Sequence, residues 1–168
     1  MSGYLQCELG HFDRGLAEID AGYAQWLATG ARVSQPLFLA LQAQGLMLAG
    51  ELAVAESRVV EGLAIVEQLG EIQLEAELTR LRGVLRLRSG AVADGEAWLR
   101  LAYGRALRQH RLGFALRSAN DLARLWMTQG RRDAALRLLD PLVARWREGQ
   151  ETRDLRVSAS LLESLRAN

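Results

Sequence analysis

The sequence contains no lysine; all 21 of its basic residues are arginine. That excludes a phosphate-binding P-loop, whose Gly-x-x-x-x-Gly-Lys-Ser/Thr signature needs lysine on the phosphates. It also excludes Schiff-base chemistry, which needs a side-chain amine. Cys7 is the only cysteine, so no internal disulfide can form, and one thiol without clustered histidines makes no zinc site. Prolines are limited to Pro36 and Pro141 and β-branched residues are scarce, while Ala, Leu, Arg, Gln and Glu abound. This is helix-favouring chemistry. No apolar run approaches the roughly 18 residues of a membrane span, and no basic start followed by an apolar core marks a secretory signal. A cytoplasmic location without membrane association is therefore expected.

Catalytic groups are equally sparse. His11 and His110 lie in a turn and at a helix end, with no thiol or carboxylate at a metal-ligand offset, and read as solvated. No serine sits in a nucleophile elbow. Glu75 and Glu77 are two apart on a helix and point to different sides; Glu77 with Arg80 reads as a surface i,i+3 pair. No hydride-, phosphoryl- or acyl-transfer constellation can be assembled, so no cofactor, no metal and no enzymatic activity are expected.

What is present is a repeat. The stretch Ala119–Leu139 reads as a helix with Leu122, Leu125 and Trp126 on one stripe, a stop at Gly130, and a second helix with Leu136, Leu139 and Val143 inward. Glycines recur at Gly10, Gly50, Gly90 and Gly130, forty residues apart each time. Five residues past them stand Gly15, Ala55, Gly95 and Ala135; nine past stand Ile19, Val59, Leu99 and Leu139; seven before the last three stand Ala43, Gly83 and Ala123. Small residues let helices approach and large apolar ones fill the space between them. A fixed period of this length is the signature of a helical solenoid.

These columns resemble tetratricopeptide (TPR) repeats: Ala123, Gly130, Ala135 and Leu139, echoed by Ala43, Gly50, Ala55 and Val59. The period exceeds the roughly 34 residues typical of such repeats, which requires longer helices, and the repeat's proline between units is missing. A narrower resemblance spans about residues 23–165. The runs A-E-L-T-R-L-R-G-V-L (76–85), L-A-R-L-W-M-T-Q-G-R-R-D-A-A-L-R-L-L-D-P-L (122–142) and W-R-E-G-Q-E-T-R-D-L (146–155) are similar to the C-terminal repeat region of large bacterial multidomain regulators. Those carry an ATPase module and often a nucleotide-cyclase or DNA-binding domain ahead of the repeats. The resemblance implies a sensor or interaction segment and no ATPase or cyclase, since no residues here match those modules.

The expected fold is an all-α, right-handed helical-hairpin solenoid of about four pairs with a closing C-terminal helix, forming one domain over 1–168. Its units run about 1–30, 34–70, 72–111 and 114–148, with the closing helix at 152–166. Met1 to Leu9 reads as the tail of a truncated first helix. Helices are then expected over 12–29 (Leu16, Ile19, Tyr23, Trp26 and Leu27 inward), from a Ser34 hydroxyl cap with Pro36 in the first turn to Ala49 (Leu37, Leu41, Met47 and Leu48), and over 53–69. Further helices are expected over 72–89, 93–111 (Leu99, Leu101, Tyr103 and Leu107) and 132–147 kinked at Pro141, with Gly113 turning the chain into 114–129. Trp26, Trp126 and Trp146 stand at buried spacing.

In repeats of this type the first helix of each pair lines the concave groove. Carried over, that places Leu37, Ala40, Gln44 and Met47, then Glu77, Arg80, Val84 and Arg88, then Arg117, Asn120, Arg124 and Met127 on the inner wall. The candidate partner-binding residues are Gln44, Glu77, Arg80, Arg88, Arg117, Asn120 and Arg124. Arginine forks hold carboxylates or phosphates at two points, so a protein or peptide partner of acidic character is expected; the competing reading pairs these arginines with neighbouring glutamates. A small-ligand effector sensor, its pocket closed by Trp98 or Tyr103, is the alternative. Residues 1–79 carry 3 arginines against 11 acids, net −8, and residues 80–168 carry 18 against 9, net +9. The acidic half and the spread of Arg80, Arg82, Arg86 and Arg88 around their helix argue against nucleic acid. An exposed repeat end would favour a homodimer.

Overall fold

A computed structural model describes residues 2–149 and 151–167; Met1 of the expected first helix lies outside them. The described helices are α1 (Ser2–Glu8), α2 (Phe12–Ala28), α3 (Gln35–Ala49), α4 (Leu52–Leu69), α5 (Glu75–Arg88, preceded by a 3-10 turn Ile72–Leu74), α6 (Val92–Arg108), α7 (Leu112–Thr128), α8 (Arg132–Val143) and α9 (Arg153–Ala167). Each packs antiparallel on the next. The odd helices also contact one another, α1 with α3, α3 with α5, α5 with α7 and α7 with α9, whereas the even helices make no such contact among the described residues. Two layers with contact confined to one of them describe a curved array, with the odd helices on the inside.

The periodic columns are the hairpin interfaces. Ala43 with Ala55 and Ala123 with Ala135 are buried at less than 1% exposure. In the other two hairpins both partners are glycine and the backbones come closer. A methyl group on Gly15 would stand 2.4 Å from the Cys7 sulfur and 2.6 Å from the Gly3 carbonyl, and one on Gly95 would stand 2.4 Å from a Leu87 methyl. Ile19, Val59, Leu99 and Leu139 fill the adjoining space.

Helices α1, α3, α5 and α7 end in one device. At Gly50 (φ 87°) the Glu51 N–H bonds the Leu46 carbonyl and the Gly50 N–H the Met47 carbonyl, the paired closure of a left-handed C-terminal cap. Left-handed residues recur every twenty positions from Gly10 to Gly130, although at Gly30 the Ala31 N–H goes to the Thr29 hydroxyl instead. Midway between Gly90 and Gly130 the chain has His110, with φ 55° and the same two bonds as Gly50, Arg111 to Ala106 and His110 to Leu107. The expected turn at Gly113 is therefore displaced: His110 makes it, and α7 begins at Leu112.

Several other expectations are corrected. Ser34 does not cap α3 with its hydroxyl; it is left-handed (φ 68°), and its N–H is taken by both Glu71 carboxylate oxygens at 3.1 and 3.2 Å. Trp26, Leu27, Leu37, Leu48 and Leu101 are exposed, because their helices have neighbours on fewer sides than the apolar stripe anticipates. The helix through Pro141 ends at Val143, since proline withholds the N–H that the Arg137 carbonyl would accept.

At the far end α6, α7 and α8 are tied through Trp126. Its indole N–H donates to Glu96 at 3.0 Å, and the guanidiniums of Arg100 and Arg131 each lie 4.9 Å from its ring while also binding Glu96. Burial would push the Glu96 carboxyl up, but bonds from Arg131, Trp126 and Arg100 outweigh it and bring its pKa from 4.5 down to about 2.

A carboxyl depressed on folding contributes stability above its unfolded pKa that is lost as pH falls through the folded one. Acid titration of the melting temperature should therefore fall between pH 4.5 and about 2, and Glu96→Gln should flatten that segment. Gly15→Ala should destabilise by about 1–3 kcal/mol through overpacking despite alanine's better helix propensity, measured by chemical denaturation. His110→Gly should stabilise by up to about 1 kcal/mol by removing left-handed strain, and the same measurement reads it.

Candidate functional site

The curvature encloses a polar cavity of about 560 Å³ to which every odd helix contributes. Tyr4 and Glu8 come from α1, Gln44 from α3, Arg80 from α5, Arg117, Asn120, Asp121 and Arg124 from α7, and Asp154 and Val157 from α9, with Thr152 and Arg153 at its entry. Arg153 pairs with Glu8 across 145 residues of sequence, so the inner layer's first and last helices meet at the rim.

Beneath the cavity lies a buried ionic network. Glu77 is 1% exposed. Arg80 grips it with two parallel bonds, Nη2 to Oε1 at 2.8 Å and Nε to Oε2 at 2.9 Å, and Arg117 Nη1 reaches Oε1 at 3.3 Å. Arg80 Nη1 also donates to Asp121 at 2.6 Å, and Arg117 Nε to Asp154 at 2.7 Å. Burial alone would raise the Glu77 pKa, but Arg80 and Arg117 hold it below the ordinary carboxylate value. Asn120 donates to the Asp154 carbonyl at 3.1 Å and accepts from Ser158 at 2.7 Å, joining α7 to α9.

Of the candidate residues, Gln44, Arg80, Arg117, Asn120 and Arg124 line this cavity. Glu77 is corrected from surface pair to buried anchor: Leu78 and Leu81 hold its helix in the inner layer, where the i,i+3 arginine closes over it. Arg88 is elsewhere, donating to the Met47 carbonyl at 2.6 Å. It stands one residue off the forty-residue column of Met47 and Met127, whose member in α5 is Leu87. Leu37 is exposed, and Ala40 and Met47 are buried; none of the three lines the cavity. Trp98 and Tyr103 lie on the outer helix α6, and Trp98 is covered by Arg82 at 4.4 Å.

The missed residues carry a legible signal. Extending the Gln44 and Arg124 column back by one repeat gives Tyr4, and extending the Glu77 and Arg117 column forward gives Val157. Asp121 and Asp154 have no column equivalent and are found only through their arginines. The arginine-rich wall is thus balanced: Arg80, Arg117, Arg124 and Arg153 face Glu77, Asp121, Asp154 and Glu8. Arg124 is held most loosely, with its side chain 54% exposed and a single 3.4 Å bond to Asp121. Arg82 and Arg86 are both held by Glu56, which leaves no free basic face on α5. No cluster of three or more metal-ligating side chains occurs among the described residues.

No protein-family model and no curated protein matches this sequence. Solved structures do. The chain is similar to a Podosopora anserina protein described as a putative kinesin light chain with nearly identical TPR-like repeats, with a TM-score of 0.64 at 17% identity over 98% of this chain and 90% of that one. A single-residue variant of that protein matches with a TM-score of 0.65 at 18% identity and the same coverage. The likeness establishes a TPR-like repeat fold.

Removing the anion from a buried pair strands its arginine. Glu77→Ala should therefore cost about 3–5 kcal/mol in urea denaturation, whereas Arg124→Ala, removing a largely exposed pair, should cost less than about 1 kcal/mol.

Proposed function

We propose that this chain is a non-catalytic interaction module whose inner cavity receives a segment of a partner protein. The observation that carries the reading is convergence: five helices spread over the whole chain bring polar side chains to one cavity of about 560 Å³, and they do so on a TPR-like fold. Because the wall arginines are already matched by carboxylates, the partner segment is polar, with an acidic side chain approaching the outward donors of Arg124 and Arg117. The sequence resemblance supports placing the module as the sensor or scaffold segment of a bacterial signalling or transcription regulator, acting in the cytoplasm. A second reading, a small acidic effector, is favoured by the cavity volume, which falls in the roughly 300–1,000 Å³ range of small-molecule sites.

The test is affinity capture from host lysate on three baits: the unsubstituted chain, Arg124→Glu, and Arg137→Glu on the outer helix α8. Arg80 is unsuitable for this purpose, since its reversal would break the buried network. A partner lost only with Arg124→Glu supports the cavity; equal capture on all three baits moves the site elsewhere. If nothing is captured, a small dicarboxylate that raises the melting temperature of the unsubstituted chain, and not of Arg124→Glu, supports the effector reading.

A further inference from the structure

Antiparallel packing of successive helices puts the turns after α2, α4, α6 and α8 on a single edge of the array. The edge is continuous. Ser34 in the first of these turns bonds Glu71 in the second, and Glu75 after the second binds Arg105 and Gln109 before the third. Tyr103 near the third and Trp146 in the fourth pack on the same core cluster.

Its two halves differ in kind. Of the thirteen large apolar side chains exposed among the described residues, six stand here at the first two turns: Trp26, Leu27, Val33, Leu37, Leu69 and Ile72. Trp26 and Val33 are joined by an indole-to-carbonyl bond of 2.9 Å. Beside them stand Glu67 and Glu71, with Arg32 the one base. The last two turns carry Arg108, Arg111, Arg145 and Arg147 against Glu148 and Glu151, all exposed, and none of the four arginines is ion-paired among the described residues. Arg132, Arg137 and Arg156 are without an ion pair among the described residues as well; these four are set apart by standing together along one edge, in line with its acidic half.

We propose that a second copy of this chain covers the edge, in antiparallel register. A two-fold axis near the middle of the edge sets the apolar, acidic half of each copy against the basic half of the other, so the contact is made twice. Arginine stems lie along Trp26 and Val33 while the guanidiniums reach Glu67 and Glu71. A parallel arrangement would oppose like with like. None of the side chains named on this edge lines the cavity, so failure of this inference leaves the cavity reading untouched.

Sedimentation equilibrium of the full chain over a concentration series, at low and at high salt, tests it. The expected result is a mass rising from the 18.6 kDa monomer toward twice that at low salt and returning toward monomer at high salt. Arg111→Glu with Arg145→Glu, and separately Val33→Asp, should each stay at monomer mass while keeping the helical circular dichroism of the unsubstituted protein. These positions are solvent-exposed, so folding should survive. A monomer at every concentration and salt, an association indifferent to salt, or a dimer that survives both variants would overturn the proposal.

Discussion

Glu77 places a full negative charge where almost no water reaches it, and the inner layer is arranged around that fact. A buried carboxylate is tolerable only when opposite charges and hydrogen-bond donors surround it. Here they come from its own helix through Arg80 and from α7 through Arg117. Those arginines bring Asp121 and Asp154 with them, and Asn120 and Ser158 complete the link to α9. Three successive inner helices are thereby locked in one mutual register by bonds whose directions are fixed. Apolar packing alone, being non-directional, would leave helices free to slide. The curvature that encloses the cavity follows from this register, and the same charges form its wall.

The outer layer obeys a different constraint. Its helices touch only inner ones, and the distance of each is set by small residues at the crossing. Where both are alanine their methyl groups stand at the crossing; where both are glycine, as at Gly3 with Gly15 and Gly83 with Gly95, there is no room for one. The glycine hairpins fall in the first and third units, alternating with the alanine ones.

Much of this was legible in the residue pattern. The forty-residue columns of glycine, small and large apolar residues identified the hairpins, because a helical interface repeats its steric demands each time the unit recurs. The inner-wall columns identified five of the cavity residues for the same reason. The pattern misjudged Trp26, Leu37 and Leu101, since an apolar stripe says which side a helix prefers to bury and not whether a neighbour is there to bury it. It placed Arg88 on the wall through a one-residue departure from the column, and a helix turns by about 100° per residue. The left-handed backbone of His110 escaped notice because the residue's chemistry gives no sign of one; only its place in a twenty-residue series of left-handed turns does.

The sequence by itself determined that the chain is a stack of helix pairs whose basic residues are all arginine, because periodicity and composition are local properties that each repeat restates. Only the tertiary structure decided what the arginines do. Whether a guanidinium is a free binding group or half of an ion pair depends on carboxylates some forty residues away on the next inner helix, and on how deeply both are buried. Arg80 and Arg124 look alike in the column pattern; one is sealed against Glu77 and Asp121, the other reaches into the cavity.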